Sequence, residues 1–337
     1  MPTEWPAILP ILAALSLVGA LGAIDHPTAH GGAPPGEILF GQIVGGTAYS
    51  CRVRPEKNFW SPVELLSGAT TGRGEVATTP LPFFFAHIHH DYPLRWRIAH
   101  GYLWAVQVSE PAPAQRGFEL IRIPMTDLPR LAPDHENKPG DKPEPRPSAD
   151  GHGPGTLSPY GVGGLDPIQS AFIQADFRDT GEVSYDFLPL SAESGRLFLR
   201  SNKLLTVYSY RFNYLKERHD YHWTWVKDGA VKLDGTGPFW AASSADDQIL
   251  VIESGRILQA KLDASSVGAA KEIWSDPRPI FALVLNADPP LPFAFGRDFC
   301  FPVAVEVKPL ACDAFGPDQP KPEDPLAPLR RCAKYLK

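Results

Sequence analysis

The chain has 337 residues, of which 43% are hydrophobic and 21% are charged, so it is long enough for one large domain or two ordinary ones. Its 37 Pro and 29 Gly residues favour short strands joined by many turns. The formal net charge of −6 comes without any Lys/Arg tract, which argues against a nucleic-acid partner, because phosphates require a basic face.

The first residues carry the pattern of an export signal. Residues 5–24 contain no charged side chain, and the run ends in the small residues Ala20, Gly22 and Ala23, which a signal peptidase accepts near its cleavage point. We therefore expect residues 1–23 to be a signal peptide and the protein to be secreted or periplasmic. The alternative is an uncleaved membrane anchor, since residues 5–24 are also long enough to span a bilayer. Residues 24–36 are expected to be a flexible spacer.

Residues 37–131 are predicted to supply the N-terminal strands of a β domain. Two strands flank the turn Gly45-Gly46, which is typical of a hairpin. A further strand starts near Phe59 and leads into a predicted soft loop at 67–79. That loop lacks the Gly-Lys-Ser/Thr of a phosphate-binding loop.

Histidines near the middle of this part suggest a metal site. On a strand, His87 and His89 point to the same face, so both imidazoles could bind one ion with Asp91 as a third ligand. The pattern is similar to the His-x-His of some metallohydrolases, yet later strands supply no further ligands in a recognisable context, and His219 and His222 fall in a polar turn. A histidine-rich strand end is the favoured interpretation, so we expect no stoichiometric metal and no cofactor.

Residues 132–165 are the largest interruption in the chain. Pro and Gly are frequent there, and charges alternate without apolar periodicity, which predicts a disordered insert. The remaining strands of the β domain are predicted in residues 166–311. Either the insert separates two domains, or it is an external loop of a single domain, because exposed loops tolerate long insertions at small entropic cost.

Residues 206–225 are predicted to form an aromatic hairpin. Its aromatic side chains alternate onto one face of each strand: Tyr208, Tyr210, Phe212, Tyr214, Trp223 and Trp225. Such a face is either a platform for sugar rings or a peptide, or packing between neighbouring sheets. We expect a ligand platform if the face proves exposed, because contiguous exposed apolar surface usually marks a partner.

Residues 237–303 show the most complete strand pattern. Strands are predicted to begin at Phe239, Gln248, Arg256 and Lys271, and a new strand follows from Ile280. Four antiparallel strands and the start of the next, within the ~40 to 45 residues of one blade, resemble β-propeller repeat architecture. Neither a WD dipeptide nor a kelch signature is present, so the resemblance is to no named family. It implies an all-β fold of short antiparallel blades, with a β-sandwich as the alternative.

The cysteines indicate disulfide bonds. Their number is even in a chain that is expected to be exported: Cys51, Cys300, Cys312 and Cys332. We predict a bond between Cys300 and Cys312, because a loop of 11 intervening residues is easily closed. Such a bond would contribute on the order of 3 kcal/mol. Buried apolar thiols are the alternative for some of the four. Residues 312–337 are a Pro-rich tail, in which Leu326 to Leu336 alone could form a short helix.

No nucleophile motif, calcium loop or haem attachment site occurs in the sequence. We therefore expect an exported, propeller-like binding or interaction module whose ligand is a protein or a carbohydrate, rather than an enzyme. One alternative is a metal-dependent hydrolase that uses His87 and His89. Another is a structural envelope protein, which would contact the membrane only if residues 5–24 stay uncleaved.

Overall fold

A computed structural model describes residues 38–53, 60–71, 74–86, 95–112, 115–128, 169–174, 183–215, 220–235, 238–245, 247–253, 255–286, 291–315 and 324–336. The predicted signal peptide, spacer and insert lie outside the described residues. No helix within the described ranges is long and apolar enough to cross a membrane. Strands dominate the described chain, which confirms the all-β prediction, and we group them in chain order into blades 1 to 5.

Blade 1 begins with the predicted hairpin. Its strands are β1 (Leu39–Val44), β2 (Thr47–Val53), β3 (Trp60–Ala69) and β4 (Ala77–Ala86). Gly45 and Gly46 have φ angles of 56° and 80°, a conformation that glycine adopts without steric cost. The prediction of a soft loop at 67–79 is wrong at both ends, because the pairing of β3 with β4 extends as far as Ser67 opposite Ala77.

Blade 2 spans the large interruption of the sequence. Its strands are β5 (Arg95–Ala99), β6 (Tyr102–Ala112), β7 (Gln115–Pro124) and β8 (Gln169–Gln174). Although residues 125–168 separate β7 from β8, the two strands pair antiparallel with Leu120 opposite Ala171. Chain on both sides of the predicted insert therefore belongs to one sheet.

Blades 3 and 4 are connected by an additional short strand. Blade 3 comprises β9 (Val183–Pro189), β10 (Ser194–Ser201), β11 (Leu204–Leu215) and β12 (Asp220–Lys232). Blade 4 comprises β13 (Phe239–Ser244), β14 (Gln248–Glu253), β15 (Arg256–Lys261) and β17 (Lys271–Ser275), which are the four strands predicted there. The connection between β15 and β17 was not expected to form a strand, yet it contains β16 (Val267–Ala269), which pairs parallel with β12.

Two glycines explain why that connection can lie so close to blade 3. A Cβ atom at Gly229 would come within 2.9 Å of the backbone of Asp263, and one at Gly268 would come within 2.9 Å of the Lys261 carbonyl oxygen. Since glycine has no Cβ, the backbones approach closely enough for β16 to join the edge of blade 3.

Blade 5 closes the arrangement against blade 1. Its strands are β18 (Ala282–Asn286), β19 (Leu291–Phe295), β20 (Phe299–Pro302) and β21 (Leu310–Ala311). β18 pairs parallel with β1, so blades 5 and 1 form one continuous eight-stranded sheet. The short helix predicted near the end of the chain is present as α1 (Ala327–Ala333), which packs its Leu329 side chain over Gly41 of β1.

The first strands of blades 1 to 4 lie side by side. β1 contacts β5, β5 contacts β9, and β9 contacts β13, while β13 contacts β19 of blade 5. Together with the β18–β1 pairing, these contacts complete a ring among the described strands. The propeller-like prediction is thus confirmed, and the sandwich alternative is wrong, because the sheets follow one another around a ring instead of stacking as two layers.

Apolar side chains fill the boundaries between the blades. One cluster lies between blades 2 and 3 and includes Trp104, Phe118 and Phe187, while another lies between blades 3 and 4. A third cluster joins blades 1, 2, 4 and 5, and within it the Phe40 ring stacks on Trp240 with centroids 4.6 Å apart. Burying such side chains is the main force that holds separate sheets together.

Candidate functional site

The aromatic hairpin of β11 and β12 forms one wall of the boundary between blades 2 and 3. Tyr210 lies directly opposite Trp225 in the ladder, so their side chains leave the same face of the hairpin. The opposite strand of the boundary, β6, contributes Trp104, whose ring centroid is 6.2 Å from that of Tyr210. The neighbouring blade therefore decides how much of the aromatic face is covered.

One end of this face belongs to the core. Tyr210 is 2% exposed, and its ring lies over Gly195 of β10, where a Cβ atom would overlap the Tyr210 hydroxyl and the Leu188 carbonyl oxygen. Burial raises the pKa of Tyr210, while the positive charges of Arg122 and Arg97 act in the opposite direction. Tyr210 thus serves packing between the blades, and it is not part of a ligand platform.

The other end of the face reaches solvent. Trp225 is 38% exposed, and its ring meets that of the half-buried Tyr208 at a centroid distance of 5.0 Å and an interplanar angle of 60°. Burial raises the pKa of the Tyr208 hydroxyl. Lys227 is exposed and lies opposite Tyr208 in the ladder, two residues from Trp225 on the same face. We call Tyr208, Trp225 and Lys227 the rim site.

A second cation lies at the same boundary. The Arg122 guanidinium lies over the Tyr102 ring, 4.7 Å from its centroid, and donates a hydrogen bond to the Ala192 carbonyl oxygen of blade 3. Tyr102 and Tyr208 both pack against the apolar cluster between blades 2 and 3. The boundary therefore combines aromatic rings with positive charge in a chain whose net charge is negative.

The side chains of the rim site have the chemical properties of a ligand-binding surface. Aromatic rings offer apolar faces, and the ammonium of Lys227 offers hydrogen-bond donors and a positive charge. None of the three side chains that define the rim site is a carboxylate, an imidazole or a thiol. Its geometry therefore supports recognition of a ligand without indicating a reaction.

The sequence analysis missed a buried polar cluster at the centre of the ring. Both oxygens of the Asp186 carboxylate accept hydrogen bonds from Arg97, and neither side chain is exposed. Burial lowers the pKa of Arg97, and Asp186 opposes that effect. Arg95 lies 3.7 Å from the Trp240 ring centroid and donates to the carbonyl oxygen of Phe239.

A signal for this cluster was present in the sequence. Arg95 and Arg97 alternate within a short strand that ends in Ile98 and Ala99, and charged side chains in an apolar strand indicate buried partners. Because β5 is the first strand of blade 2 and contacts the first strands of blades 1 and 3, the partners of its charged side chains come from neighbouring blades. We therefore infer that the cluster of Arg95, Arg97 and Asp186 stabilises the packing of the blades against one another.

Several predicted site residues lie outside the described part of the chain. These are the metal candidates His87, His89 and Asp91, and the side chains of Phe212, Tyr214 and Trp223. Across the ranges that are described, no group of three His, Cys, Asp or Glu residues could hold a metal ion. The metal-dependent hydrolase alternative therefore gains no support from the described residues.

The four cysteines are free thiols in the structure, so the predicted disulfide between Cys300 and Cys312 is not formed there. The two side chains nevertheless belong to one buried cluster and are diagonal neighbours in the ladder of β20 and β21. Cys332 of α1 belongs to the same apolar cluster as Cys300 and Cys312, whereas Cys51 packs against the cluster that contains Phe40. The pairing of Cys300 with Cys312 stays a prediction.

Comparison with known proteins identifies no family. No protein-family model matches the sequence, and no curated protein matches it. Among solved structures, the chain is similar to the fungal lectin of Aleuria aurantia, described as a six-bladed β-propeller with a novel mode of fucose recognition. The identity is 7%, the match covers 85% of this chain and 80% of the lectin chain, and the TM-score is 0.40. So distant a likeness carries no argument, and the propeller-like fold rests on the strand order given above.

Proposed function

We propose that the protein is a binding module that holds a carbohydrate at the rim site. The observation that carries this proposal is the exposed Trp225 ring, which is held against Tyr208 at the edge of the boundary between blades 2 and 3. An exposed ring that packs against a half-buried one on a sheet is a preformed apolar surface, so little conformational entropy is lost when a ligand binds to it.

The surroundings of the ring pair favour a sugar over an extended peptide. The apolar surface is small, because Tyr210 is buried, and it is flanked by the exposed Lys227 side chain on the same face of β12. A sugar ring has one apolar face surrounded by hydroxyl groups, which matches a small aromatic surface with a polar border. An extended peptide needs a row of pockets or a free strand edge.

We further propose that the protein acts outside the cytoplasm, which is supported by the signal-like pattern of residues 1–23. Expression with export, followed by N-terminal sequencing, tests this proposal. The mature chain is expected to start between Leu21 and Ile24, after one of the small residues. Recovery of an intact Met1 in the membrane fraction would indicate an anchor instead.

Binding is tested with a panel of immobilised monosaccharides and oligosaccharides, followed by titration of each sugar that is retained. Trp225→Ala should weaken binding by about fivefold, since loss of one stacked ring costs roughly 1 kcal/mol. Trp225→Phe keeps a ring and should retain most of the affinity. Val305→Ala is the control, because Val305 is an exposed apolar residue in the connection between β20 and β21 of blade 5, away from the rim site. The proposal is contradicted if no sugar binds, or if Trp225→Ala binds like the unchanged protein.

A further inference from the structure

Three of the four cysteines meet between blade 5 and the C-terminal helix. Cys300 lies in β20, Cys312 follows β21, and Cys332 lies in α1, and their exposed fractions are 1%, 8% and 0%. All three belong to one apolar cluster that also contains Leu329. Residues that are far apart in sequence are therefore brought to one buried position by the packing of α1.

The β20–β21 ladder sets the position of Cys312. Cys300 is opposite Leu310, and the Cys312 N–H donates a 3.0 Å hydrogen bond to the Asp298 carbonyl oxygen, which continues the ladder by one residue. Cys312 is thus the diagonal neighbour of Cys300, on the same face of the ladder. The residues on either side of Cys332 bond to the residues that follow Cys312: Arg331 donates a 2.8 Å hydrogen bond to the Ala314 carbonyl oxygen, and Lys334 donates one of 2.6 Å to the Asp313 carboxylate. Cys312 therefore has one thiol neighbour in the sheet and another on the helix.

We propose that these three thiols form a disulfide-exchange site in which Cys312 pairs with either Cys300 or Cys332. A bond with Cys300 stays within blade 5. A bond with Cys332 ties α1 covalently to blade 5, which the pairing predicted from the sequence does not do. The third thiol lies beside the disulfide in each case, so one bond can convert into the other.

The reaction requires a low-molecular-weight disulfide such as oxidised glutathione. A protein thiolate attacks one sulfur of glutathione disulfide, which forms a mixed disulfide and releases one glutathione thiol. A neighbouring protein thiolate then attacks the protein sulfur of the mixed disulfide and releases the second glutathione thiol. Two protein thiols are oxidised to one disulfide, glutathione disulfide is reduced to two thiols, and the two protons move to the released glutathione.

The docking of α1 controls access to this site. A helix of seven residues is too short to be stable alone, so α1 depends on contacts with the sheet. These contacts include Leu329 over Gly41 and the Arg331 hydrogen bond of 2.8 Å to the Ala314 carbonyl oxygen. Burial raises the pKa of Cys300 to about 12 and also raises that of Cys332. Thiolates are therefore scarce while the helix is docked, and transient undocking allows the reaction.

The experiment maps disulfides in the full chain after incubation with oxidised glutathione. The protein is unfolded in guanidinium at mildly acidic pH with excess N-ethylmaleimide, which blocks all free thiols, and peptides are then separated without reduction. The unchanged protein should contain Cys312 in a disulfide with Cys300, Cys332 or both in different molecules. Cys300→Ala should leave only the Cys312–Cys332 bond, and Cys332→Ala should leave only the Cys300–Cys312 bond. Cys51→Ala is the matched control and should give the same pairing as the unchanged protein.

Cys312→Ala and Cys312→Val should both abolish the internal disulfide, and circular dichroism shows which of the two variants is folded. The proposal is overturned if Cys312 stays free in the oxidised, unchanged protein, or if Cys51 provides its partner. It is also overturned if Cys300→Ala leaves no bond between Cys312 and Cys332, because the helix thiol would then be out of reach. Mapping of the unchanged protein decides the central claim even if both Cys312 variants fail to fold.

Discussion

Nη2 of Arg97 lies 2.9 Å from Oδ1 and 2.7 Å from Oδ2 of Asp186, across the boundary between blades 2 and 3. Neither side chain is exposed. Oδ2 of Asp186 also accepts a 2.7 Å hydrogen bond from the N–H of Ala241, which belongs to β13. One carboxylate therefore connects the first strands of blades 2, 3 and 4.

Asp186→Asn should destabilise the protein strongly. Removing the carboxylate charge leaves the Arg97 guanidinium buried without its counter-ion, which costs about 3 to 5 kcal/mol in comparable pairs. Urea unfolding followed by circular dichroism measures this loss. In a double-mutant cycle with Arg97→Met, the coupling should be on the order of 1 to 3 kcal/mol. Additive effects of the two changes would show that the pair does not act as a unit.

Gly195→Ala should also destabilise the fold, because a Cβ atom there would overlap the Tyr210 hydroxyl and the backbone oxygen of Leu188. Since the backbone cannot move aside as a flexible side chain does, we expect a loss of about 1 to 3 kcal/mol. The measurement is the midpoint of chemical unfolding. Gly74→Ala is the control, because a Cβ atom there meets only the Ala69 methyl group at 3.9 Å. Equal effects of the two changes would contradict the packing of Tyr210 over Gly195.

Alkaline pH should unfold the protein, and buried thiols should contribute to that sensitivity. Burial raises the pKa of Cys300 to about 12 in the folded state, above the value of about 8.5 for an unfolded thiol. A raised pKa means that the folded state binds the proton more tightly. The contribution of the protonated Cys300 thiol to the free energy of unfolding is therefore fully present below about pH 8.5, and it decreases as the pH rises towards 12.

The melting temperature measured as a function of pH, under reducing conditions, checks this prediction. Cys300→Ala should flatten the alkaline part of the profile, because it removes one of the titrating groups. Val303→Ala removes buried apolar volume without removing a titrating group, so it should lower the melting temperature at every pH by a similar amount. The prediction fails if the profile of Cys300→Ala keeps the original alkaline slope.

Cleaving the chain between residues 132 and 165 should leave the two parts together. β7 and β8 pair across this segment, and the Arg97–Asp186 ion pair and the β1–β18 ladder also join the two parts. A specific protease site placed in the segment, followed by gel filtration under native reducing conditions, tests this. Elution at the size of the intact chain is the expected result. Two separately eluting folded fragments would mean that the parts are independent domains.

Lys227 should give the rim site a preference for acidic sugars, a prediction that rests on the proposed function. Lys227→Gln should weaken binding of glucuronic acid about twofold to fivefold, which is the range of an exposed ion pair, and leave binding of glucose unchanged. Calorimetric titration with the two sugars measures the difference. Lys232→Gln is the control on the same strand, since Lys232 is exposed beyond the β-bulge. Equal losses for both sugars would show that charge does not select the ligand.

Local patterns in the sequence were sufficient to predict much of the fold. The strands of blade 4 follow from alternating apolar residues between tight turns, and the first hairpin follows from the Gly45-Gly46 turn. β16 was missed because its pairing depends on Gly229 and Gly268, which lie in strands that are far apart in the sequence. The parallel pairing of β1 with β18 was also unpredicted, since no local pattern selects so distant a partner.

The candidate site could be predicted only in part, for a related reason. Alternation placed Tyr208, Tyr210 and Trp225 on one hairpin face, but blade 2 decides that Tyr210 is covered while Trp225 reaches solvent. The partners of Arg97 and of Cys332 likewise come from other blades. Contacts between blades depend on the packing of the whole ring, which single-sequence patterns do not contain.

The parallel ladder between β1 and β18 has a consequence for biosynthesis. Leu39 pairs with Ala282, so the first described strand has to wait for one of the last before its hydrogen bonds are complete. During translation, the edge of β1 stays available for other pairing until blade 5 has left the ribosome. Contacts of such high sequence separation also slow folding, because the entropy of closing the chain is lost before the ladder forms. The newly made chain is therefore exposed to aggregation for most of its synthesis, and the last blade ends that period.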